Sequence, residues 1–418
     1  MAPTTQAWEP IAALTPLKIL VVAQSQATLD AANVRPFLTA ITRAFQGGVT
    51  DAPDGSEKYY AWGEELGVEI RRACWVPTGQ QGQEQTEPPH ADLRILLRSC
   101  GHLLVVVVLE GTTTAGSKFG QWLDGLAQLA MSGETAGRIG ILPINFDTAA
   151  EKTSLEQFNE FQRLSIAELG DFSLRPAYLG LLVLQRAWSL LSGDSDERLR
   201  LFISHAKRDG APVALALRSQ IESLRWLQRF YDACDILPGT PWRRVLREGV
   251  RNSVVVILRS DVYDQRPWCV QEVEWADEFG SPAVVVDVRS SLTLPRESLP
   301  VAGMATVRIP DGNLVRILNS ALREAMRVRL FRRSVDLLQA AGVLPMDGTV
   351  VVPRAALSAL GMACEAAKDG PTIEAVVIPE PFREPLRPAA ERLVQAYFPT
   401  AILGIPRDFV NRPVATPK

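Results

Sequence analysis

The chain has 418 residues, of which 47% are hydrophobic and 22% are charged, and its formal net charge is −3. A chain of this length is expected to hold roughly two to four domains, at ~100–200 residues each. The composition is that of a globular protein, and a net charge this small excludes binding to nucleic acid or an anionic membrane through overall charge.

The rarer residue types narrow the function class further. The five cysteines are scattered and include no Cys-x-x-Cys pair, which predicts reduced thiols rather than a disulfide framework. None of the three histidines, His90, His102 and His205, stands at ligand spacing from a cysteine or another histidine, so we expect no protein-bound catalytic metal. The N-terminal segment has no basic stretch before an apolar core, and the apolar runs are shorter than the ~20 residues of a spanning helix. We therefore expect a soluble, cytoplasmic protein.

A first unit of alternating strands and helices is predicted over residues 16–191, after an N-terminal tail of residues 1–15. Its strand candidates are "LKILVVA", "VEIRRACWV", "LLVVVVLEG" and "RIGILPINF". Its helices are expected around residues 35–46, 91–99, 119–132 and 174–191. Buried strands that alternate with amphipathic helices are typical of a parallel sheet covered by helices.

The same plan is repeated after a polar linker, "SGDSDER", at residues 192–198. The second unit, residues 199–333, has the strand candidates "RLFISHA", "LQRFYDA", "SVVVILRS" and "SPAVVVDVR". We expect Pro241 in the first turn of one helix, and Asp311 or Asn313 as the N-cap of a long last helix. From about residue 334 the pattern weakens, and residues 334–418 predict a small C-terminal α/β unit to which the sequence assigns no role.

Four segments of the second unit follow one another in the order and spacing of a known family. They are "LFISHAKRDG" (201–210), "FYDACDILPGTPW" (230–242), "SVVVILRSDVY" (253–263) and "PWCVQEVEWA" (267–276). Each segment alone is compatible with an ordinary strand, turn or packed helix. Together, over residues 198–330 or so, they resemble a Toll/interleukin-1 receptor (TIR) domain of the bacterial NAD⁺-cleaving type. The resemblance implies a flavodoxin-like α/β fold, assembly into a homo-oligomer through TIR domains and, in cleaving members, a glutamate on the helix of the fourth segment.

Glu272 stands at the position of that glutamate, four residues after Trp268. Residues at i and i+4 lie on one face of a helix, one above the other. Cys269, Val273 and Ala276 form a neighbouring apolar stripe that can face the sheet. We therefore expect the indole and the carboxylate to project together, away from the core.

The paired tryptophan and glutamate suit the cleavage of a nicotinamide–ribose bond. Pro267 is expected in the first helical turn, which places Glu272 near the positive end of the helix dipole and favours the ionised carboxylate. Nicotinamide leaves NAD⁺ as a neutral base and needs no general acid, so one carboxylate can stabilise the oxocarbenium-like ribose. The indole can stack on a planar or cationic ring, a contact worth about 0.5–2 kcal/mol. NAD⁺ is then the substrate, no cofactor is required, and a linear or a cyclic ADP-ribose product stays open.

Further substrate-binding candidates come from the carboxyl ends of the strands, where ligands bind in open α/β sheets. The loop after the first strand supplies Ser204, His205, Ala206 and Lys207. Lys207 or the neighbouring Arg208 could meet the pyrophosphate. The alternatives are solvated loop charges for these two residues and an ordinary hydrogen-bonding role for His205.

The segment "DACDILPG" resembles the BB loop of the family, which mediates assembly and gates the pocket. Asp232 and Leu237 fall at its two ends and complete the set of substrate-binding candidates. Pro238 and Gly239 suit the two central positions of a type II turn.

The first unit resembles the second without its carboxylate. In "TTTAGSKFGQWLDGLAQLA", Trp122 stands roughly where Trp268 does, but the residue four positions later is Leu126. We therefore predict that residues 16–191 form a degenerate TIR-like domain, unable to cleave NAD⁺ and serving as a sensor, assembly partner or inhibitor. The alternative is an unrelated flavodoxin-like domain, and a different strand order in the two units would refute the duplication.

These residues favour an NAD⁺ nucleosidase, and the multi-domain build suggests that assembly and flanking domains that sense a partner protein or ligand regulate it. The resemblance implies a bacterial antiphage or immune-signalling effector. One alternative is a non-catalytic TIR scaffold that acts by homotypic assembly. Another is a related enzyme such as a nucleoside deoxyribosyltransferase, which also sets a glutamate against an anomeric carbon. The sequence contains no membrane segment and no direct nucleic-acid signal.

Overall fold

The computed structural model describes most of the chain, namely residues 15–46, 50–51, 58–59, 66, 68–76, 93–109, 117–133, 135, 137–146, 160–169, 173–194, 197–230, 241–290, 299–301, 303–309, 312–380, 382 and 384–411. These residues form two five-stranded sheets and one three-stranded sheet, all parallel and flanked by helices, and one short antiparallel pair. The predicted α/β class is therefore confirmed. None of the described helices is long and apolar enough to cross a membrane.

The first unit contains a parallel sheet between two layers of helices. Its elements are β1 (Thr15–Ser25), α1 (Gln26–Asp30), α2 (Arg35–Gln46), β2 (Thr50–Asp51), β3 (Lys58–Tyr59), β4 (Glu69–Val76), α3 (Leu93–Arg98), β5 (Cys100–Leu109), α4 (Lys118–Met131), β6 (Ile139–Asn145), β7 (Leu164–Ser165) and α5 (Arg175–Ser192). The sheet order is β4-β1-β5-β6-β7, and β2 pairs with β3 in the antiparallel hairpin. The predicted helices match α2, α3, α4 and α5 closely, because each carries a regular apolar face.

The second unit repeats this plan. Its elements are β8 (Arg200–His205), α6 (Ala211–Ser223), β9 (Gln228–Phe230), α7 (Trp242–Arg251), β10 (Val254–Arg259), α8 (Pro267–Glu278), β11 (Ala283–Asp287), β12 (Ala305–Arg308) and α9 (Leu314–Ala340). Asn313 caps α9, since its side chain accepts a hydrogen bond from the Val315 amide over 3.1 Å. Pro241 is the N-cap of α7 rather than a residue of its first turn. The edge strand β12 was not predicted, because its residues alternate in exposure and form no apolar run.

Both five-stranded sheets have the same topology. The second sheet has the order β12-β11-β10-β8-β9. Numbered within its own unit, each sheet therefore reads 2-1-3-4-5, which is the flavodoxin-like order. A different strand order in the two units would have refuted a duplication, and the two described sheets have the same order. Unrelated proteins share this topology, so the duplication stays a prediction.

Helix α9 runs through the predicted boundary at residues 333/334 and into the C-terminal unit. That unit contains β13 (Thr349–Val351), α10 (Leu357–Ala367), β14 (Ala375–Val377), α11 (Arg387–Tyr397), β15 (Ile402–Gly404) and α12 (Pro406–Asn411). Its parallel sheet has the order β13-β14-β15. Phe331, Val335 and Leu338 of α9 are buried in one cluster with Ala375 and Phe409 of that unit. The helix continues because its last turns have an apolar face to bury there.

The two larger units pack through the helices that follow their fifth strands, α5 and α9. One continuous hydrophobic cluster includes Leu184 of α5, Leu201 of β8 and Leu318 of α9. The guanidinium of Arg323 on α9 is also buried and donates to the carbonyl oxygen of Ala44 at the end of α2 over 2.8 Å. Burying this apolar surface fixes the two sheets relative to each other.

The C-terminal unit holds the carboxyl end of α8. Arg354 is 6% exposed, and its guanidinium donates to Asp277 Oδ1 over 2.7 Å and to the carbonyl oxygens of Ala276 and Ser281 over 2.6 and 3.0 Å. Next to it, Gly280 has a φ of +58°, and a Cβ there would lie 2.2 Å from Cβ of Pro353. Only glycine permits this backbone conformation together with such a close approach.

Candidate active site

The carboxyl ends of β8, β10 and β11 meet at one edge of the second sheet, because the three strands are parallel neighbours. The loops at this edge are joined by polar contacts. Asp209, after β8, accepts hydrogen bonds from Ser260 Oγ over 2.6 Å and from the Val262 amide over 3.1 Å, both after β10. Two loops that could border a ligand are thereby held to each other.

Glu272 lies in the second turn of α8 and is only 7% exposed. Its Oε2 accepts a hydrogen bond from Ser204 Oγ over 2.5 Å. Cys269, Val273 and Ala276 are buried against the sheet, as the apolar stripe predicted. The carboxylate itself differs from expectation, because it points inward to the end of β8 instead of projecting into solvent.

Tyr263 was missed by the sequence analysis, and it adds a second polar contact to Ser204. It lies in a 3₁₀ turn between β10 and α8 and is fully buried, with its Oη 2.5 Å from Ser204 Oγ and 3.3 Å from the Cys269 carbonyl oxygen. Burial, and secondarily the charge of Glu272, raise the pKa of the Tyr263 phenol well above its usual value. The phenol therefore stays protonated, and its one proton is shared between Ser204 Oγ and the Cys269 carbonyl oxygen, while Ser204 donates to Glu272.

Cys269 lies on α8 beside this group, and its thiol is not a nucleophile at neutral pH. Burial, reinforced by the charge of Glu272, raises the pKa of Cys269 to about 12. Since the thiolate is the reactive form, the thiol stays protonated and inert.

Trp268 projects outward as predicted and is 43% exposed. Its ring packs edge-on against Trp242 of α7, with centroids 4.3 Å apart and planes at 69°, and the guanidinium of Arg243 lies 5.9 Å from the Trp268 centroid. Trp242 is 40% exposed and was also missed by the sequence analysis. Its position one residue after Pro241 carries no signal that α7 would bring it to Trp268.

The remaining predicted residues differ in accessibility. Ser204 is fully buried against Tyr263 and Glu272, and Ala206, 1% exposed, packs its methyl group in the core. Neither side chain lines an open site, contrary to the prediction. His205 is half-buried with Nδ1 3.5 Å from the Ile203 carbonyl oxygen, and Lys207 is exposed. Asp232 and Leu237 lie outside the described residues, as does the whole predicted BB loop.

Replacing Ser204 with alanine removes the donor to Glu272, and we expect kcat/KM for the proposed NAD⁺ cleavage to fall about 10-fold, the loss expected for one hydrogen bond to a charged group. Steady-state kinetics of the wild type and Ser204→Ala check this effect. A variant with the wild-type kcat/KM would show that Ser204 does not position Glu272.

The corresponding helix of the first unit, α4, has the buried residues Phe119, Gly120, Leu123, Leu126 and Ala127, and one carboxylate oxygen of Asp124 is also withdrawn from the surface. Leu126 is fully buried, and Trp122 packs against the buried Trp75 with ring centroids 4.8 Å apart. The position four residues after Trp122 therefore holds a buried leucine instead of a glutamate.

Metal ligands are not grouped in the part of the chain that the structure describes, where no set of three or more His, Cys, Asp or Glu side chains could hold a metal ion.

No curated protein matches the chain. The family model for the TIR domain matches residues 201–330, from the second residue of β8 to the middle of α9. This range lies within the predicted second unit and includes Ser204, Tyr263 and Glu272. The chain therefore contains a TIR domain, formed by residues 201–330.

Proposed function

We propose that this TIR domain is an NAD⁺ nucleosidase in which Glu272 stabilises the positive charge that develops on the ribose. The observation that carries the proposal is the carboxylate of Glu272, which is largely withdrawn from water and oriented by Ser204 at the ligand-binding edge of the sheet. A charged group held in this way acts strongly, because a site that excludes water screens it little.

In the proposed reaction the bond between ribose C1′ and the nicotinamide nitrogen breaks, and its electron pair leaves with the neutral nicotinamide. The ribose becomes an oxocarbenium-like cation that faces Glu272. Attack by water at C1′ gives ADP-ribose and releases one proton, whereas attack by an adenine nitrogen of the same molecule gives the cyclic product. The leaving group needs no protonation, which fits a mechanism in which one carboxylate, that of Glu272, acts on the ribose.

Two exposed groups support recognition of a dinucleotide. The indole of Trp268 stands at the start of α8, next to Trp242 and Arg243, and offers an accessible aromatic surface to a base. Lys207, exposed near the start of the loop after β8, can approach a pyrophosphate. We propose that His205, Asp232 and Leu237 border the same substrate.

The full chain tests this proposal directly. We expect concentrated protein to release nicotinamide from NAD⁺ and to leave adenosine, inosine and deoxyribonucleosides intact. Chromatography of the reaction mixture measures the nicotinamide released. Transfer or hydrolysis of a nucleoside would identify the deoxyribosyltransferase alternative. No release above a protein-free control, measured at concentrations where light scattering shows the protein to be oligomeric, would contradict the nucleosidase.

The exposed pair of Trp242 and Trp268 also favours a second candidate, a TIR scaffold that acts by homotypic assembly. Aromatic residues are enriched at protein interfaces, and here two large rings share one accessible surface. A scaffold forms oligomers without any nicotinamide release, whereas the nucleosidase uses a homo-oligomer to control release. An activity that depletes NAD⁺ under the control of flanking units suits a defence effector.

A further inference from the structure

A concave region lies at the amino ends of the strands of the TIR sheet, opposite the carboxyl ends where Glu272 lies. It has a volume of about 520 Å³ and is bordered by the end of α5, the described part of the linker, the amino ends of β8 and β10, and α9. Arg200 begins β8 and lies four residues before Ser204, which corresponds to roughly 13 Å along a strand. We call this region the arginine cleft. It is separate from the proposed active site and touches both larger units.

The charge of the arginine cleft is opposite in sign to that of the chain. Five arginines line it against two acidic residues, Asp194 and Glu197; the five are Arg198, Arg200, Arg251, Arg329 and Arg332. The whole chain has a net charge of −3. A concave surface with this excess of one charge attracts a ligand of the other. Guanidinium groups in particular match the geometry of phosphate oxygens.

Arg329 shows how crowded these positive charges are. Its guanidinium lies 4.7 Å from the centroid of the Trp188 ring and 3.7 Å from Glu197. Burial lowers the pKa of Arg329, and the charges of Arg332 and Arg333 lower it further, whereas Glu197 opposes the effect. An anion bound in the cleft would reduce the repulsion between Arg329 and Arg332, which both line it.

Ser253 provides an independent indication of a ligand. It lines the cleft at the start of β10 and is 6% exposed, and its Oγ has no hydrogen-bond partner among the described residues. Buried polar groups are almost always paired, and an unpaired one is destabilising. Because this oxygen is withdrawn from the surface, a change of the Ser253 rotamer is needed to bring the hydroxyl to a ligand oxygen in the cleft.

We propose that the arginine cleft binds a phosphorylated small molecule of nucleotide size with at least two negative charges. Its volume falls in the range of small-molecule pockets, about 300–1,000 Å³. Trp188 adds an aromatic surface beside the arginines. The ligand would contact α5 of the first unit, the linker and α9 at once, so its binding is coupled to the packing of the two units. The binding itself does not depend on the proposed nucleosidase activity.

Calorimetric titration of the full chain tests the proposal with ATP, cyclic di-AMP, pyrophosphate and inorganic phosphate as probes, and with adenosine as the uncharged comparison. We expect saturable binding of at least one nucleotide probe, weaker in high salt, and none of adenosine. Arg332→Glu should weaken this binding at least about tenfold, because an attractive charge becomes repulsive. Ser253→Ala should weaken it about three- to tenfold, the loss of one hydrogen bond.

Arg392→Glu is the matched control, since Arg392 is an exposed arginine on α11, outside the cleft. It has the same change of charge and should bind as the wild type does. Saturable binding of none of the probes would overturn the proposal. So would binding that Arg332→Glu and Ser253→Ala leave unchanged, or that Arg392→Glu weakens equally, because either result would assign the anion to another site or to overall charge.

Discussion

Replacing Glu272 with glutamine is expected to lower the rate of NAD⁺ cleavage by about 100- to 1,000-fold, the range found when one preorganised electrostatic group is removed from an active site. Glutamine has nearly the same shape, and its carbonyl oxygen can still accept the hydrogen bond from Ser204. The variant therefore loses the negative charge that faces the ribose cation and little else. Nicotinamide release, followed by chromatography under single-turnover conditions, measures the effect on the chemical step.

Glu274 provides the matched control on the same helix. It is exposed and accepts a hydrogen bond from Gln271 Nε2 over 2.9 Å, with no contact to Ser204 or Tyr263 among the described residues. Glu274→Gln should cleave NAD⁺ at the wild-type rate and have the same melting temperature. Turnover that persists in Glu272→Gln at the level of Glu274→Gln would remove Glu272 from the mechanism.

Replacing Arg354 with methionine is expected to destabilise the protein by about 3–5 kcal/mol, the cost of leaving a buried charge without its partner. The three hydrogen bonds to Asp277, Ala276 and Ser281 are lost. The carboxylate of Asp277, a residue that is 9% exposed, then stays buried without its partner. Methionine preserves most of the apolar stem, so the loss is electrostatic. Urea unfolding at pH 7 measures it.

The destabilisation should depend on pH. Burial raises the pKa of Asp277 above its ordinary value, and the charge of Arg354 partly opposes this rise. A carboxyl group with a raised pKa in the folded state lowers stability as the pH rises through the range between its unfolded and folded values. Without Arg354 that pKa rises further, so the destabilisation of Arg354→Met relative to the wild type should shrink when the pH is lowered from 7 to about 4.5, nearer the ordinary value of about 3.9.

Two further variants separate this charge pair from general effects on the C-terminal unit. Arg407→Met removes an exposed arginine of α12 that pairs with Glu380, and should change stability by less than about 0.5 kcal/mol. Asp277→Asn combined with Arg354→Met removes both charges and should recover part of the lost stability. Equal destabilisation at both pH values, or no recovery in the double variant, would contradict the electrostatic explanation.

The contact between Arg354 and α8 links the C-terminal unit to the proposed active site. Asp277 and Ala276 lie slightly more than one helical turn after Glu272 on the same helix. A change in how the C-terminal unit packs would therefore move or release the end of the helix that holds the carboxylate. The sequence had assigned no role to this unit.

The repeated α/β plan could be predicted from the sequence, because buried parallel strands require continuous apolar runs, such as "LLVVVVLEG" and "SVVVILRS", that local inspection detects. The helix that carries Glu272 and its buried stripe of Cys269, Val273 and Ala276 followed from helical periodicity for the same reason. Strand β12 was missed because a short, half-exposed edge strand has no such run. The continuation of α9 beyond residue 333 depended on a partner surface in the C-terminal unit.

The sequence by itself determined the fold class and the place of Glu272 on α8, since both depend on residue types at short, regular spacing. The TIR domain followed from the resemblance of four segments to that family. Only the tertiary structure decided the direction of the Glu272 carboxylate, its contact with Ser204 and Tyr263, and the meeting of Trp242 with Trp268. Residues far apart in the chain make these contacts, Ser204 and Glu272 being 68 positions apart. Periodicity reports which face of an element is buried, but the group that a buried side chain meets is set by how the elements pack.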